Sequence, residues 1–285
     1  IIVQALTGLM AGESKLQGDV PTYIYPAIAD YATGIQMANS ICAALFHRER
    51  TGRGQRIDCT LMGTALAMQT SQFTWLEAFD GEIIPPMLDE LRTARLEKRS
   101  FTEQVAIHHK YRPSPVGNIY YRVYQTSDGF ITIGALSDAL RRKVLAVTGL
   151  TDPRLREDGT FDIQRVGPDP RLADLVAAAE ALFRTKTTEE WGRLFEENGV
   201  PAGPLYFIEE LFGHPQTEAN GLETVIEHEL LGSMRMVGPP FQMSDSPLAA
   251  DRPSPTLGGD TDAVLGEAGY TAGEIDALRE AGVIR

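Results

Sequence analysis

Asp30 is the side chain best placed to do chemistry in this sequence. It lies just ahead of a run in which Ile35, Met37, Ala38, Ile41, Cys42, Leu45 and Phe46 recur at helical spacing, and that run predicts a buried helix over residues 31–50. Asp30 then stands immediately before the first turn, with Thr33 three residues on. Two readings follow. As an N-cap, Asp accepts orphan N–H groups and has no reactive role. As a reactive group it is a carboxylate at the positive end of a helix, where negative charge is favoured, and it can attack an activated carbonyl. Position alone is explained by the cap.

Other residues carry weaker signals. The Gln4 amide is of the type that donates to a developing oxyanion, although a lone glutamine also serves surfaces and packing. Gly8 and Gly34 permit close backbone approach. Arg50 and Arg53 flank the helix end, where basic residues contact a phosphate or stay solvated, and the solvated reading holds for Arg53. His108 and His109 read as a solvent-facing pair and Trp191 as a core anchor.

These residues need elements to hold them. Gly52-Arg53-Gly54-Gln55 ends the helix, residues 56–61 alternate as a half-buried strand, and a helix runs from 62 to about 79. Residues 80–115, with mixed charge and no sustained period, read as a linker with short helical pieces and a domain boundary inside it. Two β-branched and aromatic runs, 119–125 and 130–135, are joined by Thr126-Ser127-Asp128-Gly129, a hairpin with Asp-Gly at the turn. Helices follow at 137–147, 170–184 and 188–198, the last opened by Thr187 and Glu190 as a capping box. Strands at 224–229 and 233–237 and helices at 261–268 and 272–280 complete the chain. The expected division is 1–79, part of a large domain; 80–115, linker; 116–208, a small α+β domain; and 209–285, a segment returning to the large domain.

Composition narrows the function. With 43% hydrophobic and 23% charged residues the chain has the balance of a globular protein. No run approaches the roughly 18 apolar residues of a membrane-spanning helix, so no membrane role is expected, and a cytoplasmic setting is. A net charge of -13 argues against nucleic acid as a partner. Cys42 and Cys59 and the five histidines form no ligand set, and no metal is expected. Ile1 begins without an initiator Met or a signal-peptide pattern, and the first residues read as the interior of a packed element, so the chain is expected to start partway into a longer polypeptide.

Several ordered segments resemble the family III CoA-transferases. Gln4-Ala5-Leu6-Thr7-Gly8-Leu9-Met10 is similar to the family's QAxSG segment, and Ala29-Asp30 with Thr33-Gly34 to its nucleophile segment. Ala43-Ala44-Leu45 through Arg50-Thr51-Gly52-Arg53-Gly54-Gln55 and Asp58 follows, as do Asp128-Gly129-Phe130-Ile131, Gly199-Val200-Pro201-Ala202-Gly203-Pro204 and Val237-Gly238-Pro239-Pro240-Phe241. One departure is Gly258-Gly259-Asp260-Thr261, where family members often have Gly-Glu-His-Thr.

The resemblance implies an α/β fold, with an incomplete Rossmann-like large domain lacking the family's N-terminal region beside the smaller α+β domain. It implies transfer of coenzyme A from an acyl-CoA to a carboxylate acceptor, through an aspartyl-acyl anhydride and an aspartyl-CoA thioester on Asp30, with Gln4 as oxyanion donor. Gly8 and Arg50 are assigned to coenzyme A contact, and Gly117-Asn118 to a loop over the substrate. No tightly bound cofactor is implied, coenzyme A being a substrate, and a homodimer is. Two alternatives stay open. A racemase related to the family would exchange an α-proton, although such relatives tend to have Gly-Asp-Phe-Gly-Gly where this chain has Ala29-Asp30-Tyr31-Ala32-Thr33. The other is an inactive fragment or interaction subunit.

Overall fold

The computed structural model describes residues 1–13, 15–112, 118–162 and 170–284. The described chain divides into two compact units, Ile1–Ala202 and Gly203–Arg285, whereas the sequence reading drew boundaries inside 80–115 and near 208.

The first unit opens with two short helices, α1 (Ile2–Leu6) and α2 (Leu9–Glu13), and a two-residue antiparallel pair, β1 (Leu16–Gln17) and β2 (Val20–Pro21). A 24-residue helix, α3 (Ile28–Thr51), follows and is closed by Gly52, whose φ of 69° is the left-handed cap that glycine takes without a Cβ penalty. The sequence placed this helix at 31–50 and buried it. The helix starts earlier, and of its residues only Ala29 and Thr33 are buried, while Ile35 and Phe46 are 72% and 63% exposed. Helical periodicity marks an apolar face without supplying anything to cover it.

The expected strand at 56–61 does not form: residues 56–60 pair with no strand among the described residues, and Leu61 already opens the next helix. Nor does the described part of 1–79 contain a parallel strand pair of the Rossmann-like kind; its paired strands are the antiparallel β1 and β2. The mixed helix-and-strand class holds. In place of one helix over 62–79 the chain forms α4 (Leu61–Ala67), turns, and α5 (Glu77–Asp80). The stretch read as a linker forms two substantial helices packed on each other, α6 (Ile84–Leu96) and α7 (Phe101–Tyr111). Pro85 and Pro86 occupy the first turn of α6, where a missing N–H costs nothing. The start of α7 is satisfied twice, by the Ser100/Glu103 capping box and by Asp19, whose carboxylate accepts from the Phe101 and Thr102 N–H groups at 3.0 Å each.

The hydrophobic core sits in residues 119–200. The hairpin of β3 (Tyr121–Gln125) and β4 (Phe130–Gly134) has the register Val123↔Thr132 and turns at Thr126–Gly129, as the sequence predicts. The sheet has the strand order β3-β4-β5, with β5 the short strand Ala202–Pro204. Alternation points Ile131 and Ile133 inward against α8 (Asp138–Thr148), α9 (Ala173–Phe183) and α10 (Thr188–Glu197). Tyr124 stacks on Phe183 at 4.0 Å between ring centroids, and Trp191 packs on Phe183 and donates from Nε1 to its carbonyl at 2.9 Å. Trp191 is thus the core anchor its sequence context suggests.

The predicted capping box of α10 is present: Thr187 Oγ1 accepts from the Glu190 N–H at 3.2 Å, and the Glu190 carboxylate from the Thr187 N–H at 2.8 Å. The Asp128 carboxylate adds a bond from the Thr188 N–H at 2.8 Å and so ties the hairpin turn to the helix start. Thr187→Ala is expected to cost about 1 kcal/mol of stability in urea unfolding. A loss under about 0.3 kcal/mol would show that Asp128 alone satisfies this helix end.

The second unit contains a helix of one turn and more, α11 (Pro215–Ala219), the antiparallel pair β6 (Glu223–His228) and β7 (Gly232–Val237), and the helices α12 (Thr261–Glu267) and α13 (Ala272–Glu280), the last under a Thr271/Glu274 capping box. These strands and closing helices fall where the sequence puts them.

Candidate active site

The chain enters α3 through Tyr25-Pro26-Ala27, and Ala27 is the N-cap, with no side chain bonding the helix end. Asp30 is therefore the third helical residue and not the cap, a correction that follows from the helix beginning right after the proline. Its own N–H donates to the Ala27 carbonyl at 3.1 Å, which makes its backbone helical. The Asp30 side chain is exposed, and among the described residues no donor bonds its carboxylate. One turn on, buried Thr33 donates its hydroxyl to the Ala29 carbonyl at 2.7 Å. The first turn is thus anchored from beneath while its acidic side chain faces outward. A carboxylate at this helix end complements the positive end of the macrodipole and keeps both oxygens available to an electrophile.

Gln4 is 3% exposed on α1, and its amide is committed to Ile24: Nε2 donates to the Ile24 carbonyl at 3.0 Å and Oε1 accepts the Ile24 N–H at 2.8 Å. Ile24 is six residues upstream of Asp30. Gln4 therefore fixes the segment that delivers Asp30, with one amide hydrogen still uncommitted.

The remaining sequence candidates are not gathered around Asp30. Arg50 lies in the last turn of α3 with its guanidinium 5.5 Å from the Phe46 ring centroid, and is exposed. At roughly 1.5 Å of rise per residue it is about 30 Å along the helix from Asp30. Gly8, with φ of 81°, sits between α1 and α2 and lines a cavity of about 600 Å³ whose lining includes neither Gln4 nor Asp30. Gly117 lies outside the described residues. Asn118 bonds the Tyr120 N–H through Oδ1 at 2.9 Å, a local turn leading into the hairpin. Gly34 is exposed on α3, with nothing within 4 Å of where a Cβ would stand.

His108 and His109 lie on α7 and not in a linker, their rings 5.9 Å apart edge to face, and His108 lines the same cavity as Gly8. Burial, with the neighbouring His109 and Arg112, lowers the His108 pKa. Cys42 and Cys59 are free thiols. Among the described residues no group of His, Cys, Asp or Glu could hold a metal, and no helix is long and apolar enough to cross a membrane.

Sequence reasoning missed a buried polar cluster. Asp152, 3% exposed, accepts from the Tyr120 hydroxyl at 2.6 Å, from Arg154 Nη2 at 2.7 Å and from Arg154 Nε at 3.0 Å. Asp152-Pro153-Arg154 looks like an ordinary turn in sequence, and only Tyr120, contributed from 32 residues away, makes it a core feature.

The model of CoA-transferase family III matches residues 1–261. Succinyl-CoA:glutarate CoA-transferase of Mus musculus is 29% identical over 284 residues, covering 99% of this chain and 58% of its own length. Formyl-CoA:oxalate CoA-transferase of Afipia carboxidovorans is 26% identical over 307 residues, with 99% of this chain and 65% of its own length covered. This chain thus spans about three fifths of the curated relatives it matches. Among solved structures, a Mycobacterium tuberculosis protein in an orthorhombic crystal form has a TM-score of 0.64 at 22% identity, over 92% of this chain and 62% of its own. A CaiB/BaiF family protein from Brucella suis has a TM-score of 0.57, also at 22% identity, over 93% of this chain and 61% of its own. These two likenesses establish a shared fold.

Proposed function

This chain belongs to CoA-transferase family III, and from that premise we propose that it moves coenzyme A from an acyl-CoA to a carboxylic acid with Asp30 as the nucleophile. The observation that carries this reading is the Asp30 carboxylate itself, outward-facing in the first turn of the chain's longest helix and bonded to no donor among the described residues. It stands in the segment that resembles the family's nucleophile segment.

An Asp30 oxygen attacks the acyl carbonyl; the C–S bond breaks, coenzyme A leaves as thiolate, and an aspartyl-acyl anhydride remains. The thiolate then attacks the Asp30 Cγ carbonyl, breaking the anhydride and releasing the donor acid as carboxylate. The acceptor carboxylate next attacks the aspartyl-CoA thioester at Cγ, and the returning thiolate attacks the acceptor carbonyl, which frees Asp30. Each step exchanges one anion for another, so no proton need be moved. Water must be kept out, because it would hydrolyse the anhydride. In this reading Gln4 positions the approach to Asp30 and turns its remaining amide hydrogen toward the oxyanion. Gly8 and Arg50 contact coenzyme A, Gly117-Asn118 belongs to the covering loop, and the other copy of a homodimer covers the apolar face of α3. The names of the relatives make succinyl-CoA and glutarate the first pair to test.

Trapping decides the mechanism. Hydroxylamine or borohydride added during incubation with succinyl-CoA is expected to inactivate the protein and to leave an adduct on the peptide containing Asp30, read by mass spectrometry. Deuterium wash-in at the α-carbon of a 2-methylacyl-CoA, with no adduct and no acceptor-dependent transfer, would instead support the racemase alternative.

A further inference from the structure

The cavity of about 600 Å³ in the first unit is absorbed by none of the chemistry assigned to Asp30. Its size falls in the range of small-molecule sites. Most of the wall is apolar, with Met87, Leu91, Phe101 and Val105 from α6 and α7 among its side chains, and neutral glutamine amides, the Thr7 hydroxyl and the His108 ring interrupt it. Although the chain carries a net charge of -13, no carboxylate is among the lining residues. The lining has a single guanidinium, that of Arg95.

Of the cations nearby, Arg92, Arg99, Lys110 and Arg112 are each held by a carboxylate, on Asp89, Glu97, Glu90 and Asp80. Among the described residues Lys98 and Arg95 are not, and of these two Arg95 lines the cavity. Among the described residues Arg95 has no such ion pair, only a 3.4 Å contact from Nε to the Gln104 side-chain oxygen. Its outer nitrogens remain open for a bidentate anion. A guanidinium at the edge of an apolar cavity free of carboxylates matches a ligand with one apolar end and one anionic end.

We propose that this cavity binds a small organic acid, an apolar body ending in a carboxylate, with Arg95 as its counter-ion. Its lining includes neither Asp30 nor Gln4 and shares with the residues assigned above to coenzyme A only Gly8; because the test uses no acyl-CoA, its outcome is distinguishable from that of the transfer mechanism.

Octanoate is the probe, and octanol, with the same body and no charge, its control. Titrated calorimetrically into the full chain without any acyl-CoA, octanoate is expected to bind saturably. Arg95→Gln, a change at an exposed side chain, is expected to weaken octanoate roughly tenfold to a hundredfold, as loss of a charge-assisted contact does, and to leave octanol within about twofold. Gly12→Leu gives a second handle. Gly12 lines the cavity on helix α2, and a Cβ there meets nothing within 4 Å, so a leucine at this position is expected to take up cavity space and to weaken both probes. Unchanged melting temperatures show that the variants fold. Absence of saturable octanoate binding to the wild type, octanoate affinity untouched by either variant, or equal weakening of octanoate and octanol by Arg95→Gln overturns the proposal.

Discussion

Asp30→Asn is expected to reduce transfer of coenzyme A from succinyl-CoA to glutarate by about a thousandfold or more while shifting the melting temperature by less than about 2 °C. The amide keeps the size and shape of the side chain but cannot form the anhydride or the thioester, because its nitrogen is neither an anionic nucleophile nor a leaving group at neutral pH. Stability has little reason to change, since the side chain is exposed and bonds no donor among the described residues. Had Asp30 been the N-cap, stability would have depended on its replacement also capping; with Ala27 in that position the activity and the fold separate cleanly. Transfer is followed by chromatographic quantitation of glutaryl-CoA. Activity within tenfold of wild type would remove Asp30 from the mechanism.

The second large effect is structural. Asp152→Ala is expected to lower stability by about 3–5 kcal/mol, because it takes the acceptor from a buried ion pair and leaves the Arg154 guanidinium short of the carboxylate that neutralises it. It also removes the partner of the buried Tyr120 hydroxyl. Urea unfolding followed by the fluorescence of Trp191, which is 1% exposed in the same core, reads the change. A loss under about 1 kcal/mol would mean that the cluster is replaceable by packing.

The acid dependence has a definite sign. Burial acts to raise the Asp152 pKa, but the hydrogen bonds from Arg154 and Tyr120 outweigh it and hold the carboxyl below its usual value. Its contribution is therefore complete above the unfolded-state pKa of about 4 and is lost as pH falls through the lower folded value. The alanine variant should show a flatter decline of stability below pH 4 than wild type. At the alkaline end, burial raises the Tyr120 and Tyr124 hydroxyls above 10, so their contribution is complete below that pH and fades as pH climbs through the folded values.

Much of the small-domain architecture was legible because its signals are local. The Thr126-Ser127-Asp128-Gly129 turn is a four-residue event, the Thr187/Glu190 capping box needs one turn of helix, and β6 and β7, beyond that domain, are adjacent in the chain. The segments from residue 4 to residue 261 that carried the family resemblance were equally local.

What only the tertiary structure decided are the relations between distant segments. Periodicity identified the apolar face of α3 but not that Ile35 and Phe46 stand exposed, since a face and its cover are separate facts. Alternation over 56–61 suggested a strand, yet a strand exists only when a neighbour accepts its hydrogen bonds. Charge and proline content made 80–115 look like a linker, whereas the α6–α7 packing and the Asp19 carboxylate at the start of α7 made it a helical hairpin. Gln4 read as a donor to chemistry and is bound to Ile24. The sequence by itself determined the family, the carboxylate at a helix start and the hairpin core, because propensity, capping and motif order act over a few residues. The Tyr120–Asp152–Arg154 cluster and the cavity that Arg95 lines arose only in the tertiary structure, because burial and pairing depend on which distant chain arrives.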